Sequence, residues 1–273
     1  YDYLGTAVKT TTTFAYSADA LVRSDTFRGQ DGTTAKSYTT YFGDESEEKA
    51  LATYTYDYAG AIVKTLTEFV YTGNVLTDSF TYRGTVKTDP MKSRTIYGGL
   101  EGEEKAQKTY NYNYAGTSIK TTTVFSYTGE TLIGSVTKKL EDGTVMKSET
   151  IYMGNAGEEK AQKTYNYNAV GTVIKTTTTF EYSVDTLSKS YTYTGQDTSV
   201  MKSQTFYQGN EGEEKALKTW NYSADGTQIK TTTTFTYSAD RLIRSDTVRE
   251  RDGTVLKSVT FYAGSESEEK ADK

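Results

Sequence analysis

The sequence predicts an all-β chain: five tandem repeats of about 55 residues, each of four antiparallel strands, joined in a coiled or solenoidal continuous β-sheet. Three observations predict it. The segment Gly-x-x-(Ile/Val)-Lys-Thr-x-Thr recurs with its glycine at Gly5, Gly60, Gly116, Gly171 and Gly226. The triplet Glu-Glu-Lys begins at Glu47, Glu103, Glu158, Glu213 and Glu268, and a Lys-Ser pair begins at Lys36, Lys92, Lys147, Lys202 and Lys257. The composition favours strands: 51 Thr and 25 Tyr stand among 273 residues, with a single proline, Pro90, and a single tryptophan, Trp220. The landmarks divide the chain into one array with units at about 1–55, 56–111, 112–166, 167–221 and 222–273, and a one-residue slip falls near the second copy.

Each unit resolves into four strand-like segments. The first, Ile174 to Tyr182, sets Ile174, Thr176, Thr178, Phe180 and Tyr182 on one face and Lys175, Thr177, Thr179 and Glu181 on the other. The second, Leu76 to Tyr82, groups Leu76, Phe80 and Tyr82 with Asp78. In the third, Val145 to Tyr152, the residues Met146, Ser148, Thr150 and Tyr152 share a face. The fourth, Lys105 to Tyr114, places Ala106, Lys108, Tyr110, Tyr112 and Tyr114 together, opposite Gln107, Thr109, Asn111 and Asn113. No window repeats apolar residues at helical spacing, so helix is not expected.

The connections are short and rich in residues that accept positive φ, among them Ala18-Asp19, Gly73-Asn74, Asp31-Gly32 and Ala115-Gly116. They read as hairpins of two to four residues, so the repeat glycines Gly5, Gly60, Gly116, Gly171 and Gly226 are expected to be structural turns. A wide meander twists, and a sheet with one semi-apolar face calls for curling or stacking to shelter it. The alternative is a five-bladed β-propeller, since about 55 residues with four strands suits one blade. The polar second face of the first and fourth segments favours the one-sided sheet.

The motif Tyr1-Asp2-Tyr3-Leu4-Gly5, repeated as Tyr56-Asp57-Tyr58-Ala59-Gly60 and Tyr112-Asn113-Tyr114-Ala115-Gly116, resembles the YD (RHS) repeats of bacterial surface and toxin proteins. Two copies depart from it, at Tyr167-Asn168-Ala169-Val170-Gly171 and Tyr222-Ser223-Ala224-Asp225-Gly226. The resemblance implies a strand, a glycine turn and a second strand, in proteins that coil into hollow β shells.

Chemistry is sparse. The chain lacks histidine and cysteine, which removes the usual neutral base, thiol nucleophile and thiolate ligands. The expectation is no enzyme, no catalytic residue, no cofactor and no metal. The Glu-Glu pairs recur with the unit and read as solvated turns that discourage sheet-to-sheet pairing. Calcium held by Asn210, Glu211, Glu213 and carbonyl groups is the alternative there. Lys9, Lys64, Lys120, Lys175 and Lys230 read as a charge ladder on the wet face. Tyr110, Tyr112, Trp220 and Tyr222 offer an aromatic surface for glycans, against the plainer reading of cross-strand packing.

The formal charge of −5 argues against nucleic acid. No apolar segment of about 20 residues can span a membrane as a helix, and no strand offers the outward apolar band of a membrane barrel. The chain begins at Tyr1 with no secretory signal, and reads as a mature or excised fragment. The sequence thus points to a structural, extracellular or cell-surface repeat segment of a stalk, sheath or filament. Its expected partners are flanking repeats or copies of itself, paired through strand edges at Tyr1 and Lys273. The alternative function is a lectin-like propeller with one glycan or ligand site per repeat.

Overall fold

The computed structural model describes residues 8–141, 143–238, 241–251, 253–264 and 270–271. Gly5, Tyr1 and Lys273 lie outside the described residues, as do Asp142, Asp252 and the Ala239-Asp240 turn. The described residues form twenty strands and no helix. The first repeat supplies β1 (Thr10–Ser17), β2 (Ala20–Arg28), β3 (Thr34–Phe42) and β4 (Lys49–Tyr56). The second supplies β5 (Val63–Thr72), β6 (Val75–Tyr82), β7 (Met91–Gly98) and β8 (Lys105–Tyr112). The third holds β9 (Ile119–Thr128), β10 (Thr131–Lys139), β11 (Met146–Met153) and β12 (Lys160–Tyr167). The fourth holds β13 (Ile174–Ser183), β14 (Thr186–Thr194), β15 (Met201–Gln208) and β16 (Lys215–Tyr222). The fifth holds β17 (Ile229–Ser238), β18 (Arg241–Arg249), β19 (Leu256–Ala263) and β20 (Lys270–Ala271).

The chain divides into two compact units, one of Tyr1–Phe125 with Thr137–Thr144 and one of Ser126–Val136 with Val145–Lys273. In the first, each strand from β1 to β8 pairs antiparallel with its successor. In the second, β11 to β20 do the same. The ladder does not stop at repeat boundaries: β4 pairs with β5, β8 with β9, β12 with β13 and β16 with β17. A propeller needs each four-stranded blade to be a separate sheet. Hydrogen-bonded continuity between the last strand of one repeat and the first of the next excludes it, and the meander is the fold.

Bulges punctuate this meander. Every described ladder except the two-residue β19–β20 pair contains one register shift. Between β4 and β5, Thr55 faces Thr65 but Tyr56 faces Val63, so Lys64 is the extra residue. By the same count Lys120, Lys175 and Lys230 are the extra residues of β9, β13 and β17, and Lys36, Lys92, Lys202 and Lys257 those of β3, β7, β15 and β19. All eight lysines are exposed. They are therefore bulge residues, one strand in two, and not rungs of a ladder on one face. The extra residue of a bulge stands opposite no single residue of the partner strand, and a long charged side chain suits it.

Burial is slight. The buried apolar residues among those described are Ala52 and Leu66; Ser24, Ser79, Ser135, Ser190 and Ser245 are buried too, and Thr177 is the fully buried side chain. Within each unit, inter-strand contacts join strands that are sequence neighbours. The expected shelter for one greasy face is thus replaced by lateral packing along the sheet. Nine threonine pairs face each other across ladders with hydroxyl oxygens 2.8 to 3.1 Å apart, such as Thr39 with Thr53 and Thr67 with Thr81. Such cross-strand pairs are what stabilises a sheet surface.

The extra residue of the second copy also finds its place. The β6–β7 connection, residues 83–90, is closed by the Arg83 N–H donating to Pro90 O and by Asp89 Oδ2 accepting from Thr85 and Val86 N–H. In the other repeats a buried threonine hydroxyl donates to carbonyls of this connection: Thr122 to Leu140 O, Thr177 to Gly195 O, Thr232 to Glu250 O. In the second repeat the corresponding position is Leu66, 3% exposed. Where the loop differs, the hydroxyl that served it is replaced by an apolar side chain.

The two-residue turns open with positive φ: Ala18 at 49°, Gly73 at 60°, Gly129 at 56° and Val184 at 56°. A β-branched residue is the least suited of the four to that conformation. Val184→Gly should therefore raise stability by about 0.5–1 kcal/mol, the left-handed strain relieved less the added chain entropy of glycine. Urea unfolding midpoints of the two proteins check it, and a lower midpoint for the glycine variant contradicts the strain.

Candidate functional site

The glycine turns of the repeat are more elaborate than two-residue hairpins. The fourth strand ends at Tyr56 or Tyr112 and the next begins at Val63 or Ile119, leaving a six-residue loop. Asp57 N–H donates to Ile62 O at 2.7 Å, and Asp57 Oδ1 accepts from Ala61 N–H at 2.9 Å and Ile62 N–H at 3.1 Å. Asn113 and Asn168 do the same with their amide oxygens, toward Thr117 and Ser118 N–H and toward Thr172 and Val173 N–H. In the fifth copy Ser223 Oγ accepts from Gln228 N–H, and its own hydroxyl bonds Asp225. The copies that depart from Tyr-Asp-Tyr therefore keep its chemistry: the residue after the tyrosine supplies an acceptor that organises the loop. These loop N–H groups hold the Asp57 carboxyl below its ordinary range, Ile62 first and Ala61 next.

Gly60, Gly116, Gly171 and Gly226 sit in these loops with φ of 71° to 76°. Each also lies against the backbone that opens the third strand two positions back. A Cβ at Gly60 would stand 2.6 Å from Ala35 N and one at Gly226 2.6 Å from Met201 N; Gly116 and Gly171 approach Met91 N and Met146 N more closely. Positive φ and backbone contact together exclude any side chain. These glycines fasten each repeat to the one before it.

A second fastening lies at the other turns. Glu48 Oε1 accepts from Leu21 N–H at 2.8 Å, and Glu104, Glu159 and Glu214 accept from Leu76, Leu132 and Leu187 N–H at 2.9, 2.8 and 2.9 Å. Leu21, Leu76 and Leu187 each stand beside a bulge such as that at Ala15/Tyr16, so a carboxylate from 27 or 28 residues downstream meets an N–H at the disturbed part of the ladder. The second glutamate of Glu-Glu-Lys is thus a latch and not a solvated turn residue; the first (Glu47, Glu103, Glu158) remains exposed. The Leu21 and Leu76 N–H groups draw the Glu48 and Glu104 carboxyls below the usual range. Tyr71, Tyr182 and Tyr237 hydroxyls donate to Ala50, Ala161 and Ala216 O at 2.9 to 3.0 Å. Tyr41, Tyr97, Tyr152, Tyr207 and Tyr262 hydroxyls bond the buried Ser24, Ser79, Ser135, Ser190 and Ser245 at 3.0 to 3.3 Å.

The loop offered as a calcium candidate sends its groups apart. Glu211 pairs with Lys160 at 3.0 Å, Glu214 serves the Leu187 latch, and the Asn210 amide donates to Glu213 at 3.5 Å. Among the described residues no group of three acidic side chains is arranged to hold a metal ion. Lys49 reaches Glu101 at 2.8 Å, so ion pairs along this edge join one repeat to the next.

The four aromatic candidates fall in two places. Tyr110 and Tyr112 alternate on β8 in the first unit, with Lys108 Nζ 5.7 Å above the Tyr110 ring. Trp220 and Tyr222 alternate on β16 in the second. The Trp220 ring is edge-packed on Phe206 at 4.6 Å and covered by Arg251 at 4.5 Å and Lys218 at 5.1 Å. Its surfaces are occupied by the chain's own side chains, which is the geometry of cross-strand packing. Its indole N–H is buried without a partner. Tyr222 lines an open groove of about 640 Å³ with Asn221, Lys230, Arg249 and Lys257. The recurring latch, the loop acceptor and the bulge lysines were hidden from sequence reasoning; the invariance of Glu-Glu-Lys and of the Asp/Asn/Asn/Ser series was their signal.

No family model matches the chain, and no curated protein matches it in sequence. Among solved structures it is similar to a porin-like protein from Bacteroides uniformis, with 11% identity over 76% of this chain and 92% of that one and a TM-score of 0.31. It is also similar to TcdB2-TccC3 without the hypervariable C-terminal region, with 12% identity over 89% of this chain, 16% of that chain and a TM-score of 0.22. The chain thus spans under a fifth of the length of the latter.

Two expectations test the fastenings. Because the Glu48 and Glu104 pKa values are lowered on folding, their contribution is present above the unfolded value of about 4.3 and is lost as pH falls through the folded values. Melting temperature should therefore drop on acidification below about pH 4.3, and Glu104→Gln should show a shallower drop; identical acid profiles would contradict the latch. Separately, Thr177→Val removes a hydroxyl bound to Gly195 O at 2.7 Å and Gln196 O at 3.1 Å. It should cost about 0.5–1.5 kcal/mol, the net worth of a hydrogen bond whose acceptor carbonyls can turn to water, read as a lower urea midpoint.

Proposed function

We propose that this chain is a non-enzymatic structural repeat segment of an extracellular or cell-surface protein, one that builds a stalk, sheath or filament from repeats of the YD type. The observation that carries the reading is the fate of the recurring polar groups. Glu48, Glu104, Glu159 and Glu214 each bind a backbone N–H of their own array, and the tyrosine hydroxyls bind its serines and alanine carbonyls. What a repeat keeps, it uses to hold the neighbouring strand. In such an array each repeat gains stability from its neighbours, and length can grow without a new core. The absence of cysteine and histidine from the sequence is consistent with a mechanical role. Flanking repeats or further copies are the natural partners, since a terminal strand presents unpaired backbone groups.

Electron microscopy of the purified chain should show elongated particles. The sole tryptophan provides an independent check: Trp220 is packed by Phe206, Lys218 and Arg251, so its fluorescence should stay unchanged across a panel of neutral and acidic glycans. Compact rings together with a saturable fluorescence change would overturn the structural role in favour of one glycan site per repeat.

A further inference from the structure

The meander sorts its charges by edge. In each unit every odd-to-even turn lies on one edge and every even-to-odd connection on the other, because successive strands run in opposite directions. The first edge carries the acidic loops: Asp44, Glu45 and Glu47 in the first repeat, Glu103 in the second beside the Lys49–Glu101 pair, and Glu158 in the third. The second edge carries the bulge lysines, two to a repeat, such as Lys64 and Lys92, and Lys175 and Lys202. Four aspartates on this second edge turn back to their own loops. Asp31 accepts from Thr33, Asp57 from Ala61 and Ile62, Asp89 from Thr85 and Val86, and Asp197 from Ser199. What projects from it is basic in balance, the bulge lysines outnumbering the exposed Glu141 and Glu250, and in the second unit the groove lined by Lys230, Arg249 and Lys257 together with Glu250 is the recess such an edge offers.

We infer that the lysine edge of one copy docks on the acidic-loop edge of a second copy, side by side. The two edges are complementary in charge, and they share one spacing by construction. Within each unit both repeat every four strands, about 19 Å at ~4.8 Å per strand, so when one loop of a unit meets its lysines the next loop of that unit does too. A second copy of this chain is the one occupant whose own surface has both the opposite sign and the matching period. Individual exposed pairs are weak, and the strength comes from their number along the edge. The contact is heterologous, leaving a free edge of each kind, and so adds copies without closing. This inference names the lateral partner of the structural reading proposed above and rests on it.

Light scattering and sedimentation of the intact chain test it across ionic strength. From about 0.01 M to about 1 M salt the screening length falls from ~30 to ~3 Å. Mass should exceed that of one chain at low salt, rise with concentration, and return to the monomer at high salt. The variant Lys36→Glu/Lys92→Glu/Lys202→Glu should stay monomeric at low salt, as should Glu47→Lys/Glu103→Lys/Glu158→Lys, while an equal mixture of the two should associate. A monomer at low salt, association indifferent to salt, or a mixture no different from its components would overturn the inference. Association reached only when an acidic polysaccharide is added would overturn it too and assign the lysine edge to that ligand. Elongated particles that never pair laterally would remove this inference and leave the structural reading standing; glycan-responsive Trp220 fluorescence would remove the reading itself.

Discussion

A sheet with almost nothing buried beneath it must be held along its own surface, and that constraint governs the rest of this structure. Ala52 and Leu66 are the buried apolar residues among those described. Layered domains hide one face of a sheet against another element; here the burden passes to neighbours in the ladder. Among the described residues, opposed threonines, tyrosine hydroxyls on serines, and carboxylates on backbone N–H groups recur from repeat to repeat, the last of these in four of the five. Each is modest in free energy, on the order of 1 kcal/mol, and each occurs many times. The abundance of Thr and Tyr follows from this. A β-branched hydroxyl or a phenol covers sheet surface and pairs sideways while remaining compatible with water.

The bulges connect this packing to the edges. An extra residue in every long ladder bends and twists the strands locally, and it leaves N–H groups that the latch glutamates meet. At one edge the extra residue is lysine in eight described strands; at the other it varies, as with Val22 and Leu51. The glycines Gly60, Gly116, Gly171 and Gly226 complete the joint by letting one loop lie on the backbone of the strand opening before it. Repeat identity is therefore the consequence of a repeated joint, and the joint needs particular residues at only a few positions.

Much of the fold was legible in the sequence because period-2 alternation and turn residues are local signals. The strand at Ile174 to Ser183 extends the predicted segment by one residue, and the polar faces that spoke against a propeller lie on a ladder that crosses repeat boundaries. The bulges were not legible: one added residue shifts the alternation without breaking the pattern, so Lys64 and Lys175 looked like members of a face. The latch was hidden because its partner is a backbone N–H, which has no sequence signature; Glu104 and Glu103 are the same residue type with different fates. Asp57 and Asn113 looked like strand residues, yet they cap the loop that follows. The shift in the second copy became interpretable only when Leu66 was seen where its counterparts hold a loop by a threonine hydroxyl.

The central claim is that lateral polar pairing, with little apolar burial, holds this chain folded. The heat capacity change of unfolding measures that most directly, since exposure of apolar surface raises it and exposure of polar surface lowers it. Scanning calorimetry at high salt should give a value well below the usual ~12–15 cal/mol/K per residue. A value within the usual range would show a buried apolar core of ordinary size and contradict the account.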